Sequence, residues 1–207
     1  NLNRKLILFI GIFYLVGLLG ISLDSYKSFF VGLSFFHLLL SFGVLILARK
    51  KHSSAFWLFM ITAFGLGMLA EWIGVHTGAL FGQYQYGHIL GPKLLGVPLI
   101  IGINWAMLSI VSASLLATLK LHFWVEVALA SLLMVFLDFL MEPVAVKLGF
   151  WNWHNGKIPV FNYICWLLLS LVLQTIYRKW RLNEKNNVAV ALFIFMSVFF
   201  SVLNFDL

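Results

Sequence analysis

Seven apolar runs divide the chain, each bounded by short polar stretches: Leu6–Leu23, Phe29–Ala48, Phe56–Val75, Pro98–Leu119, Phe123–Val146, Val160–Tyr177 and Val188–Phe205. Each approaches the about 20 residues that a helix needs to cross a bilayer, within the usual range of about 17–25. Open sheets cannot span lipid, and the alternation expected of a membrane β-barrel is absent, so the runs are expected to be helices. The pattern predicts an all-α polytopic membrane bundle of seven transmembrane helices, forming a single integral membrane domain over residues 1–207.

The polar stretches carry an asymmetric charge. With the N-terminus inside, the inner loops hold Arg4, Lys5, Arg49, Lys50, Lys51, Lys120, Arg178, Lys179, Arg181 and Lys185, and the outer loops only Lys27, Lys93, Lys147 and Lys157. That excess of inner cations predicts N-in topology. The net charge of +7 then reflects membrane orientation, and no nucleic-acid partner is expected. Composition agrees: 62% of the 207 residues are hydrophobic and 10% charged, against about 25% charged in a soluble domain. The mean hydropathy is +1.00. The first run has no A-x-A cleavage site and exceeds a typical signal-peptide core, so it is expected to remain as a span. A single cysteine, Cys165, excludes an internal disulfide.

The two longest connections, 75–97 and 147–159, contain a recurrence. Glu71-x3-Val75-x2-Gly78 reappears as Glu142-x3-Val146-x2-Gly149. Paired aromatics follow, Tyr84 and Tyr86 in one copy and Trp151 and Trp153 in the other. Each copy then has a proline, Pro98 or Pro159, with a tryptophan seven residues on, Trp105 or Trp166. Both copies read as a helix running outward, a loop and a helix running back. This predicts a parallel internal repeat of helices 3–4 and 5–6 about an axis along the membrane normal.

The candidate chemistry lies in the same places. Of seven acidic residues, Asp24, Glu184 and Asp206 fall in loops or at the terminus and read as solvated charges, and Glu126 reads as half of an interfacial ion pair beside Lys120 and His122. Glu71, Asp138 and Glu142 remain. Asp138 and Glu142 are four apart and share a helix face. At about 1.5 Å rise per residue, Glu71 and Asp138 lie about 22 Å from the inner ends of their helices. The three should gather in the outer half of the membrane, with no Lys or Arg deep in either helix to neutralise them. Ionisable side chains in lipid mark functional sites by default. Desolvation and mutual repulsion favour keeping at least one of them protonated, and a buried protonated carboxyl is a Brønsted acid.

Aromatic side chains cluster around the same loops: Trp72, Phe81, Tyr84, Tyr86, Trp105, Phe150, Trp151, Trp153 and Trp166. An interfacial belt accounts for several of them. It does not account for their pairing with Gly78, Gly82 and Gly149, which points to π faces arranged to stabilise a cation. Asn104 and Asn162 are placed to orient a water. His76 and His154 are open candidates for a proton shuttle. The six histidines never fall at i, i+3 or i, i+4, and no metal or nucleotide motif is present. "GLGMLA" at Gly65–Ala70 has no preceding strand and reads as small-residue helix packing.

Two motif strings resemble a known family. One is Glu71-x-x-Gly-Val-x-Thr77-Gly78-x-x-Phe81-Gly82-x-Tyr84-x-Tyr86, followed by Gly-Val-Pro98 and Trp105. The other is Asp138-x-x-x-Glu142-Pro143, then Gly149-Phe-Trp151-x-Trp153 and Pro159-x-x-Asn162-x-x-Trp166. From Glu71 to Trp166 they resemble the integral-membrane carotenoid biosynthesis family, which includes the γ-carotene 1′,2′-hydratases and the bisanhydrobacterioruberin hydratases. Lycopene cyclases of the heterodimeric type are similar more distantly. The resemblance implies a cofactor-independent hydro-lyase that adds water to the terminal isopropylidene double bond of a linear carotenoid. Glu71, Asp138 and Glu142 would be its acid and base groups. Trp72, Thr77, Phe81, Tyr84, Tyr86, Asn104, Trp105, Trp151, Trp153, Asn162 and Trp166 would line the substrate site. It further implies a multi-pass protein of the inner cell membrane, in contact with lipid, taking substrate from the bilayer and working beside other carotenoid enzymes. Two alternatives remain open at this point: a cyclase that captures the same cation with an internal alkene, and a proton-coupled transporter or pigment-binding protein.

Overall fold

The computed structural model describes residues 2–207 and is a bundle of eight helices with four very short strands: α1 Leu2–Ser22, α2 Asp24–Gly32, α3 Ser34–Leu47, α4 Ser54–Thr77, β1 Tyr84–Tyr86, β2 Lys93–Leu94, β3 Val97–Pro98, α5 Leu99–Leu116, α6 Phe123–Lys147, β4 Trp151–Trp153, α7 Val160–Lys179 and α8 Asn187–Asp206. Six helices are long and apolar enough to cross a membrane, and α2 with α3 makes a seventh span if the bent pair is taken as one. The architecture is the polytopic helical bundle that the apolar runs predict.

The second run departs from that expectation. Phe29–Ala48 is not one helix, because α2 and α3 meet at a 58° bend at Leu33. No proline is present there. Gly32 and Ser34 flank the break, and Gly/Ser pairs are common places for a helix to kink. The helix ends elsewhere follow local chemistry. Ser53 caps α4 by accepting from the Phe56 amide at 3.2 Å, and Asn186 caps α8 by accepting from Val188 and Ala189. Gly78 ends α4 at φ 66, the left-handed conformation that glycine adopts without a Cβ penalty. Pro98 and Pro159 stand immediately before α5 and α7. α6 continues through Pro143 without a break.

α5 is the centre of the bundle. Of its apolar window 83% is buried, whereas no other spanning helix exceeds 44%. Lipid-facing helices keep one side exposed; α5 is wrapped by α3, α4, α6, α7 and α8. Small side chains allow this closeness. A Cβ placed on Gly67 of α4 would lie 2.6 Å from the Trp105 ring of α5, so only glycine lets that indole cross α4. Gly65, the other glycine of that segment, faces open space.

The connections after α4 and α6 are not bare loops. β1 and β4 pair antiparallel in the register Tyr84↔Trp153, Gln85↔Asn152 and Tyr86↔Trp151. Gly87 N–H to Phe150 C=O (2.8 Å) and His154 N–H to Gln83 C=O (3.0 Å) extend the ladder at both ends. The two distant connections are thus stitched into one cap over the ends of α4 and α6.

The opposite face of the bundle carries the ion pairs. Glu126 pairs with Arg178 at 2.7 Å and also accepts from Asn183, so its partner is not Lys120. Glu184 is not a free solvated charge: it lies 3.8 Å from Arg49, whose guanidinium also donates to the Tyr177 hydroxyl and the Leu182 carbonyl. At the end of the bundle that carries the cap, Asp206 also has a partner, accepting from Ser22 of α1 at 2.5 Å.

Candidate functional site

Glu71 sits in the last two turns of α4, under the β1–β4 cap, and is almost completely buried. Its Oε2 accepts from the hydroxyls of Tyr84 (2.5 Å) and Tyr86 (2.7 Å), and its Oε1 accepts from the Trp105 indole N–H (3.0 Å). Burial, reinforced by the adjacent Glu71 carboxylate, pushes both phenols above their ordinary range, so they act as donors.

Glu142 occupies the corresponding place near the end of α6. Its Oε2 accepts from the indoles of Trp151 and Trp153, both at 3.0 Å, and its Oε1 accepts from the Asn162 amide at 3.2 Å. The same Asn162 nitrogen donates to Oδ2 of Asp138 at 3.0 Å, tying the two acids of α6 to α7. Asp138 is fully buried, and its Oδ1 has no hydrogen-bond partner; neither does Oδ1 of Asn104. Buried polar atoms are satisfied in the large majority of cases, so two orphan acceptors in one place call for a ligand or water.

These groups surround a cavity of about 30 Å³ lined by all three carboxylates, enough for a water, which needs roughly 10–15 Å³. Of the residues expected to supply the acid and base groups or to line the substrate site, all line it except two. Trp72 is 39% exposed and lies against His76, and Thr77 is exposed, its hydroxyl bonded to the Ile73 carbonyl and the Ala79 amide at the end of α4. His76 bonds the Trp72 carbonyl and His154 is exposed; neither lines the cavity. Among the aromatics, Trp105 and Trp166 stack at 3.9 Å and 23°, Tyr84 packs on Trp153 at 5.0 Å, and Phe81 lies beside Trp105. Ile101 and Met141 complete the lining. As ordinary apolar residues inside spanning runs they carry no sequence signal.

A second, much larger space adjoins the first. It measures about 530 Å³ and is bounded by α1, the α2–α3 bend, α5, α6 and α8. Ile101, Asn104, Met141 and Trp151 line both spaces and form their common wall. No Asp, Glu, Lys or Arg lines the larger one. Its rim includes Phe13 and Val16 of α1 with Leu33 and Phe36 at the bend, all exposed on the lipid-facing surface of the bundle. Nothing in the sequence pattern marks this pocket, since its walls come from helices distant in the chain. Among the described residues, no group of three or more His, Cys, Asp and Glu side chains is arranged to hold a metal ion.

The helical bundle thus holds a large apolar pocket beside a small cavity walled by three buried carboxylates. The chain belongs to the carotenoid biosynthesis protein family, whose model matches residues 29–206. It is similar to the bisanhydrobacterioruberin hydratase of Haloarcula japonica, at 32% identity over 139 residues. That alignment covers 63% of this chain and 46% of the relative, so the chain spans about half the length of the curated protein it matches. No solved structure matches it.

Proposed function

We propose that this chain is a carotenoid hydratase that adds water to a terminal isopropylidene double bond by acid catalysis, with no cofactor. The observation that carries the reading is the junction of the two spaces: an apolar pocket fit for a polyene end meets a water-sized cavity walled by Glu71, Asp138 and Glu142. The family membership and the hydratase relative support the same class of reaction.

Hydrogen-bond accounting distributes the roles. Glu71 and Glu142 each receive three donors, which suits an anion. Asp138 receives one donor on Oδ2 and none on Oδ1, so a proton on Oδ1 turns an orphan acceptor into a donor facing the cavity. Asp138 transfers that proton to the CH carbon of the alkene. The π electrons form the new C–H bond and leave a tertiary cation on the dimethyl carbon. The anions of Glu71 and Glu142 and the stacked faces of Trp105 and Trp166 stabilise it. Water oriented by Asn104 adds to the cation, and its surplus proton passes to Glu142. Transfer from Glu142 to Asp138, its neighbour one turn away, restores the site. The net reaction is alkene plus water to tertiary alcohol, with no redox change.

The substrate enters from the bilayer between α1 and the α2–α3 bend, past Phe13, Val16, Leu33 and Phe36. The loop charges support an N-in orientation in the inner cell membrane, where other carotenoid enzymes would supply the substrate. The β1–β4 register, the Trp105–Trp166 stack and the matched donor sets of Glu71 and Glu142 support a parallel repeat of α4–α5 and α6–α7 within one membrane domain.

Expression in a lycopene-accumulating bacterium tests the reaction by chromatography and mass spectrometry. A product heavier by one water is expected. An isomer of unchanged mass would replace this reading with a cyclase. Unchanged pigment, in hosts shown to hold both hydrocarbon and hydroxylated carotenoids with free isopropylidene ends, would remove both.

A further inference from the structure

His37 lies on α3, in the wall of the large apolar pocket, away from the carboxylates. Its Nε2 is buried and has no hydrogen-bond partner among the described residues. The ring is held rather than loose. Tyr14 of α1 meets it edge-on at 4.4 Å and 81°, and Phe199 of α8 lies 6.2 Å away on another side. Tyr14 is itself engaged by Ser41, whose hydroxyl donates to the phenol at 3.4 Å. Gly17 leaves room for the imidazole edge, with its Cβ position 3.6 Å from the ring.

Such an imidazole costs stability in a largely apolar space, because a buried polar group without a partner forfeits a hydrogen bond it would make in water. Leucine or phenylalanine would fill the position without that cost. Ionisable side chains inside membrane spans are retained for function by default. With no charged residue lining the pocket, the partner of Nε2 has to be neutral, and in a pocket of this size and apolarity it belongs to the bound molecule.

We propose that His37 is a specificity-determining residue that hydrogen-bonds a neutral oxygen, a hydroxyl or carbonyl, carried by the isoprenoid chain in the pocket. The site therefore selects an already oxygenated linear isoprenoid over the corresponding hydrocarbon. This deepens the proposed function, since it assumes that the pocket holds the substrate chain, but it makes no use of the hydration chemistry.

Binding separates the two. Purified full-length protein in nanodiscs is titrated with linear isoprenoid alcohols of increasing length (geraniol, farnesol, geranylgeraniol) and with each matching hydrocarbon lacking the hydroxyl. Each alcohol places its oxygen at a different distance from the isopropylidene end. At one length the alcohol is expected to bind about tenfold more tightly than its hydrocarbon, the scale of one neutral hydrogen bond. His37→Leu should bring that ratio to about one, whereas His37→Gln should retain part of it. Comparing variants on the same compounds cancels their different partitioning into lipid. His37→Phe keeps a flat ring among Tyr14 and Phe199 and replaces the leucine variant if that fails to fold. A ratio near one at every length in the wild type would overturn the proposal, as would a ratio that survives His37→Leu or His37→Phe. If the ratio behaves as expected but no isoprenoid gains water, the hydratase reading fails and the His37 site stands.

Discussion

Glu71 and Glu142 lie at equivalent points near the ends of α4 and α6, and each is held by three donors. Two come from an aromatic pair on the following strand, Tyr84 and Tyr86 or Trp151 and Trp153, and one from the returning helix, Trp105 or Asn162. One turn earlier the two sides part. α6 carries Asp138 there and α4 carries Gly67, whose missing side chain is occupied by the Trp105 indole. Trp166 does not repeat the role of Trp105. It stacks on it, and Asn162 bonds the acids instead. The same scaffold thus holds a lone carboxylate braced by phenols on one side and a carboxyl pair bridged by an amide on the other. Only the second has a neighbour with which to exchange a proton. That difference is the ground on which we propose acid–base work for α6 and charge stabilisation for α4.

The largest effect that would test this contrast is expected from Asp138→Asn. Loss of the proposed acid should lower conversion by about 10²–10⁴-fold, the usual contribution of a general acid, with the protein still present in the membrane by immunoblot. Glu142→Gln should fall in the same range. Full activity in either variant ends the assignment to α6. Glu71→Gln should also abolish measurable pigment conversion in cells, but in single-turnover assays its loss should be the smaller of the three; a larger loss than Asp138→Asn would reverse the roles of the two sides.

Donor substitutions are next in size. Tyr84→Phe removes the shortest bond to Glu71, at a cost of about 1.5–3 kcal/mol for a hydrogen bond to a charged group, read as a roughly tenfold or greater drop in conversion. Trp153→Phe should cost a similar amount through Glu142. Gly67→Ala forces the Trp105 ring to move, and overpacking of this kind costs about 1–3 kcal/mol, visible as a lower midpoint in thermal unfolding in detergent. Gly67→Asp, which would copy Asp138 onto α4, should be worse still. At the small end, Thr77→Val and Trp72→Phe lie outside the cavity and should leave conversion within about twofold, since surface changes usually stay within ±0.5 kcal/mol.

Much of this arrangement was legible before any coordinates. Composition and run length dictated spanning helices, because a chain this apolar has no other way to satisfy its backbone in lipid. The i, i+4 spacing of Asp138 and Glu142 put both on one face, and the recurrence around Glu71 and Glu142 marked the two connections that pair as β1 and β4. Trp72 and Thr77 were grouped with these residues by motif alone, yet one faces outward on the helix and the other serves its last turn. The bend at Leu33 was hidden because the run through it is continuously apolar, and hydropathy does not register where a helix changes direction.

What the sequence determined by itself is the membrane bundle, its cap residues and the presence of unneutralised acids near one face, since these follow from local composition and helical period. Tertiary structure alone decided which donors meet which carboxylate, that Trp105 takes the space beside Gly67, and that a pocket from α1, α3, α5, α6 and α8 ends against the acids. Those facts depend on how helices far apart in the chain pack together. Cavities and hydrogen-bond partners are properties of surfaces brought together, and no single segment encodes them.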